Sequence, residues 1–136
     1  MDAFSLHPQL AQDSFGICDL PLSRLLLNAD ANYPWLMLVP RRAGATEIID
    51  LAADDRAQLM TEISEVARAL KTVTQCDKLN VAAIGNVVPQ LHVHVIARRL
   101  SDPAWPKPIW GVVSPRVYAA SERERLIGSV LREMGA

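Results

Sequence analysis

The order of strand-like and helix-like stretches along these 136 residues predicts an α+β fold. The sheet is expected to be largely antiparallel, with one long central helix and a C-terminal helix. Three observations carry this. Short apolar, strand-like runs separated by turns fill the first 40 residues. A long stretch with helical apolar spacing then precedes two more strand-like runs. A second helical stretch closes the chain.

Taken in order, FSLHPQLAQD (Phe4 to Asp13) reads as a short helix interrupted by Pro8. FGICDLP and SRLLLNAD read as two strands with a turn near Pro21 and Leu22. WLMLVP, Trp35 to Pro40, is a continuous apolar run between prolines, the pattern of a strand covered on both faces. Leu59, Ile63, Val66, Leu70 and Val73 recur every three or four residues and form the stripe of the long helix. Glu62, Glu65, Arg68 and Lys71 lie off that stripe, and Asp54 and Asp55 suit the positive end of the helix dipole. KLNVAAIG and QLHVHVIAR read as the next strands. In DPAWPKPIWG, Asp102 to Gly111, four residues are Pro or Gly, which argues against regular structure there. In the closing stretch Ser121 and Glu124 stand three apart, as in a capping box. No break in composition marks a boundary, so a single domain over residues 1–136 is expected.

Composition sets limits on function. Half of the residues are apolar and 21% are charged, as in an ordinary globular chain. The net charge of −1 gives no bulk attraction to a nucleic acid polymer or an anionic membrane. No apolar run approaches the roughly 20 residues that span a bilayer. The N-terminal stretch lacks the basic start and apolar segment of a secretory signal. Cys18 and Cys76 are far apart and outside any C-x-x-C pair, so free thiols in a reducing, cytoplasmic setting are expected.

The informative stretch is GNVVPQLHVHVIARR, Gly85 to Arg99. Side chains alternate along a strand, so Gln90, His92 and His94 share one face while Leu91, Val93 and Val95 share the other. The aliphatic set belongs to the core. The polar set then faces solvent, a cleft or a ligand. Gly85 permits close backbone approach or positive φ, and Asn86 adds an amide beside it. Backbone N–H groups, an amide and two imidazoles make an anion pocket. Residue chemistry alone leaves three readings open. One is a structural strand with incidental histidines. The second is a metal site, for which a closed zinc shell needs about four ligands while His7 is the only other histidine. The third is nucleophilic or acid–base work on a phosphate ester.

This stretch resembles the signature of the histidine triad (HIT) family, His-φ-His-φ-His-φ-φ with φ apolar, on a strand after a glycine-containing loop. Here it reads Gln90-Leu91-His92-Val93-His94-Val95-Ile96. YPWLMLVPRR is similar to the family's earlier central strand, and DPAWPKPIWG sits where some members carry a Trp-Pro element. The likeness covers about Leu25 to Gly111. It implies a homodimer whose sheets join across a two-fold axis. It also implies nucleotidyl transfer or hydrolysis at an α-phosphate, with no metal and no cofactor. By motif position His92 is the nucleophile, His94 a donor to phosphate oxygens, and Asn86 with Gly85 part of the phosphate-binding loop. Leu27, Asn28 and Asp30 lie in the region that holds the nucleoside. Gln90 replaces the first histidine and Val87 replaces a frequent serine. The same resemblance therefore also implies an alternative, a nucleotide-binding dimer with weak turnover. A glutamine exchanges hydrogen bonds but takes up no proton at neutral pH.

Overall fold

Alternation along three neighbouring strands divides the protein into two apolar sides. The computed structural model describes residues 3–135. A short helix α1 (Pro8–Gln12) leads into β1 (Ser14–Asp19), β2 (Ser23–Asn28) and β3 (Trp35–Pro40). The long helix α2 (Ala53–Thr74) follows, then β4 (Lys78–Ala82), β5 (Val93–Arg98) and α3 (Ala120–Glu133). The five-stranded sheet has the order β1-β2-β3-β5-β4, with every pairing antiparallel. This is the α+β architecture expected from the sequence.

Register sorts the side chains. Leu27 pairs with Leu36, Leu36 with Val95, and Leu38 with Val93. These residues join Leu59, Val66 and Leu70 of α2 in one core. The opposite face carries Leu26, Met37 and Ile96, packed with Leu10, Tyr33, Trp35, Val88 and Ile109. The sheet is thus covered on both sides, which explains why β3 and β5 are buried along their whole lengths.

Three sequence expectations need correction. Pro8 does not interrupt a helix but starts one: it occupies the first turn, where its missing N–H costs nothing, and His7 Nδ1 caps the Gln9 N–H at 3.0 Å. Glu62 is not on a solvated face. It is fully buried and accepts hydrogen bonds from the N–H groups of Leu22 (2.7 Å) and Ser23 (2.9 Å) and from Gln58 Nε2 (2.9 Å). The tight β1–β2 turn leaves those amides without strand partners, and the carboxylate supplies them. The capping box at Ser121 does not form, because α3 starts at Ala120 with Ala119 as its cap and no side-chain cap bond. Arg98, at the end of β5, is charged yet only 1% exposed, and is gripped by Asp102 through Nε–Oδ2 (2.7 Å) and Nη2–Oδ1 (3.1 Å).

Candidate active site

The loop between β4 and β5 delivers the histidines. Gly85 has φ +63°, and a Cβ there would meet the Val88 carbonyl at 3.3 Å, so glycine is needed for both conformation and space. Beyond it the chain turns, buries Val88, and brings Gln90 and His92 up to the first residue of β5. The strand begins at Val93, later than the alternating pattern implied, so His92 stands at its mouth and His94 within it. Leu91, Val93 and Val95 face the α2 side as the alternation requires.

The two imidazoles lie edge to face, 4.9 Å between centroids and 78° between planes. Their partners fix their protons. His92 Nδ1 is 2.7 Å from the Gln90 backbone carbonyl, which can only accept, so this nitrogen carries the hydrogen and Nε2 keeps its lone pair. The Trp35 indole N–H donates to His94 Nδ1 at 2.9 Å, so neutral His94 carries its hydrogen on Nε2. The pair therefore offers one nucleophilic nitrogen beside one N–H donor.

Burial first, and the His92 ring second, push the His94 pKa down to about 4 from an ordinary 6.5. His94 is consequently uncharged at neutral pH. The folded value is depressed, so as pH falls the unfolded chain takes up this proton before the folded chain does. The contribution to stability is intact above about pH 6.5 and is lost by about pH 4, roughly 3 kcal/mol in all. Urea unfolding across that window should show wild type losing this much more stability than His94→Asn, which keeps an acceptor for Trp35 and does not titrate. Parallel losses in the two proteins would contradict the assignment.

A cleft of about 330 Å³ opens over these rings. The histidine loop lines it with His92, His94, Gly85, Asn86 and Val87, β2 and β3 with Asn28, Trp35 and Met37, and α1 and its flank with Gln9, Leu10 and Asp13, joined by Trp110. That volume lies at the lower end of the range for small-molecule sites. Although His92 is only 7% exposed, it lines this cleft and also a second depression of about 250 Å³ beside Thr46, Glu47 and Ile84. Among the described residues no group of three or more His, Cys, Asp or Glu side chains is placed to hold a metal ion.

Of the nucleoside-side residues read from sequence, Asn28 lies in the cleft. Leu27 does not: it is fully buried in the core beneath α2, because it alternates to the other face of β2. Asp30 does not line the cleft either. Its Oδ1 accepts from the N–H groups of Asn32 (2.9 Å) and Arg116 (3.1 Å), which closes the β2–β3 turn. Val87 is 90% exposed. Gln90 reaches back to the N-terminal segment: Oε1 accepts from His7 N–H (2.8 Å) and Nε2 donates to the Ser5 carbonyl (2.9 Å).

Sequence reading missed Gln9, Leu10 and Asp13, which reach the cleft only through the packing of α1. Trp35 and Met37 were legible in principle. They alternate on β3, and Met37 pairs with His94. The two tryptophans of the Pro-rich segment do different things. Trp110 meets Trp35 and His94 edge to face, at 5.8 and 5.1 Å between centroids. Trp105 lies 5.5 Å from the Arg98 guanidinium and anchors the loop.

A profile of the HIT domain matches residues 9–101. The chain is 59% identical to a histidine triad protein from Bradyrhizobium japonicum, with a TM-score of 0.97 over 98% of this chain and 99% of that one. A histidine triad protein from Sinorhizobium meliloti is 40% identical, with a TM-score of 0.94 over 96% of each chain. One from Marinobacter aquaeolei is 36% identical, with a TM-score of 0.95 over 98% of each. No curated protein matches the chain. Sequence signature, sheet topology and close relatives agree: the chain belongs to the histidine triad (HIT) family.

Proposed function

We propose that the protein hydrolyses or transfers a nucleotidyl group at its α-phosphate, with His92 Nε2 as the attacking atom. The observation that carries this reading is the 2.7 Å contact between His92 Nδ1 and the Gln90 carbonyl, which leaves Nε2 with its lone pair in the cleft. Attack forms an Nε2–phosphorus bond as the bond to the leaving group breaks, and the leaving group departs with that electron pair. Water then attacks phosphorus, Nε2 leaves with its electrons, and a nucleoside monophosphate is released with one proton to solvent. His94 Nε2–H donates to a non-bridging oxygen and stays neutral throughout. The Asn86 amide and the backbone N–H groups near Gly85 supply further donors to the developing charge. Asn28, Gln9 and Asp13 offer hydrogen bonds to the nucleoside, whose base lies against the apolar Trp35, Met37 and Trp110.

No titratable side chain replaces the first histidine. Departing groups that are stable anions, such as a nucleoside polyphosphate, should therefore leave faster than those that need a proton. The committed shape of Gln90 and the exposure of Val87 also support the second reading, a nucleotide-binding protein with weak turnover. The protein acts as a single domain and a homodimer in this proposal, with the sheet extending through the outer edge of β4, where Val81 is 50% exposed. A panel of adenosine and guanosine phosphoramidates and dinucleoside polyphosphates, assayed for monophosphate release, decides between turnover and binding. Quenching during turnover in denaturant at alkaline pH, where a phosphorus–imidazole bond survives, should leave a nucleotidyl mass on the peptide carrying His92. Binding of AMP without release of product from any substrate would select the second reading.

A further inference from the structure

We propose that Gln90 is a positioning residue that staples the N-terminal segment leading into the cleft-lining helix α1, and so sets nucleotide affinity rather than chemistry. The inference rests on the nucleotide reading above for its affinity readout, but the staple itself is a feature of the chain. Gln90 is bonded both to His92 and to the segment that leads into α1. Its backbone carbonyl holds His92 Nδ1 at 2.7 Å. Its side-chain amide spends both polar groups on residues more than 80 positions away: Oε1 takes the His7 N–H and Nε2 gives to the Ser5 carbonyl. His7 in turn caps Gln9, Pro8 fixes the first turn, and Leu10, 5% exposed, packs with the face that holds Met37 and Val88. The residues carried by that turn, Gln9, Leu10 and Asp13, line the same cleft as the histidines. Gln9 Nε2 donates to Asp13 Oδ2 at 2.8 Å, so this lining is itself ordered once α1 is in place.

Residue type matters here. A carboxamide presents an acceptor and a donor side by side on one carbon, which matches the Ser5 carbonyl and the His7 N–H two residues apart on one segment. A histidine places its two nitrogens across a ring and cannot meet both partners at these distances. The exchange of the first histidine for glutamine thus replaces a titratable group with a fastener. The described residues before Pro8, 3–7, form no helix or strand of their own; Gln90 ties down their backbone at Ser5 and His7, and Phe4 and Leu6 pack against the face that holds Met37 and Val88.

The test compares Gln90→Ala, Gln90→Glu and Gln90→His with wild type. Three readouts are taken: KM and kcat for a diadenosine polyphosphate, calorimetric affinity for AMP, and amide hydrogen exchange. In Gln90→Ala, KM and the AMP Kd are expected to rise roughly tenfold, as for the loss of one or two hydrogen bonds, with a much smaller change in kcat. Exchange over residues 5–13 should accelerate while that of β5 does not. Gln90→Glu keeps the acceptor for His7 but sets a second, charged oxygen against the Ser5 carbonyl, so its rise should be at least as large as that of Gln90→Ala. Gln90→His should loosen the segment and not restore affinity, although it completes the histidine trio. A fall in kcat at constant KM would overturn the proposal in favour of a role at the reacting phosphorus. Unchanged exchange over residues 5–13 in all three variants would overturn it whether or not the protein turns over. Wild type that neither releases product nor binds AMP would refute the nucleotide reading instead, and the exchange data would still decide the staple.

Discussion

His92→Gly is expected to lower monophosphate release by at least about a thousandfold while AMP still binds. The structure gives no substitute for the lost nitrogen. His94 is the nearest imidazole, but its Nδ1 is taken by the Trp35 indole and its Nε2 carries the hydrogen. Neither nitrogen offers a lone pair to the cleft. Removing the ring leaves Asn28, Met37, Trp35 and Trp110 in place around a nucleoside, so affinity should survive. The vacated space also permits a sharper check. Free imidazole added to His92→Gly should enter it, attack the same phosphorus, and restore part of the release, whereas imidazole added to wild type should change little. Equal release by wild type and variant would mean that the histidine is not the attacking group.

Much of this site was readable from fifteen residues, and the reason is periodicity. A strand alternates strictly, so the pairing of His92 with His94 and the burial of Leu91, Val93 and Val95 follow from residue order alone. Even the tautomer of His92 follows from local geometry, since the carbonyl that sets it lies two residues back. The nucleoside side was far less legible. Leu27 and Asn28 are neighbours in sequence and point to opposite faces of the sheet, so an error of one position exchanges cleft for core. Asp30 is acidic and close by, yet turn amides consume its side chain. Gln9 and Asp13 enter the cleft through contacts between residues some 80 positions apart, which no local pattern encodes. Glu62 misled for a related reason. Helical spacing places it beside the apolar stripe, and only the amides of a distant turn explain why a carboxylate is buried there.

The largest stability effect is expected at Asp102. Asp102→Ala should cost about 3–5 kcal/mol, because it strands a guanidinium that has almost no access to water. Of the partners of Arg98 only the Asn80 amide oxygen, at 2.8 Å, and the rings of Tyr33 and Trp105, at 6.0 and 5.5 Å, would remain. None of these carries a full negative charge. The same carboxylate also accepts from the N–H groups of Arg99 (3.1 Å), Ala104 (3.0 Å) and Trp105 (2.7 Å), so its loss opens the turn as well. Burial pushes the Asp102 carboxyl up, but the Arg98 guanidinium and these amides outweigh it and hold its pKa below the ordinary carboxylate value. Urea unfolding at neutral pH measures the loss directly. The double variant Arg98→Met/Asp102→Leu should recover a large part of it, since replacing both members of a buried pair by apolar groups of similar size removes the unpaired charge. The turn at Asp102 begins the segment that carries Trp110 to the edge of His94, so Asp102→Ala should weaken AMP binding in proteins still folded at the assay temperature. A stability loss below about 1 kcal/mol would show that water reaches the pair in solution. The anchoring of the tryptophan loop would then have to come from Ala104 and Ile109, both buried against the cleft side of the sheet.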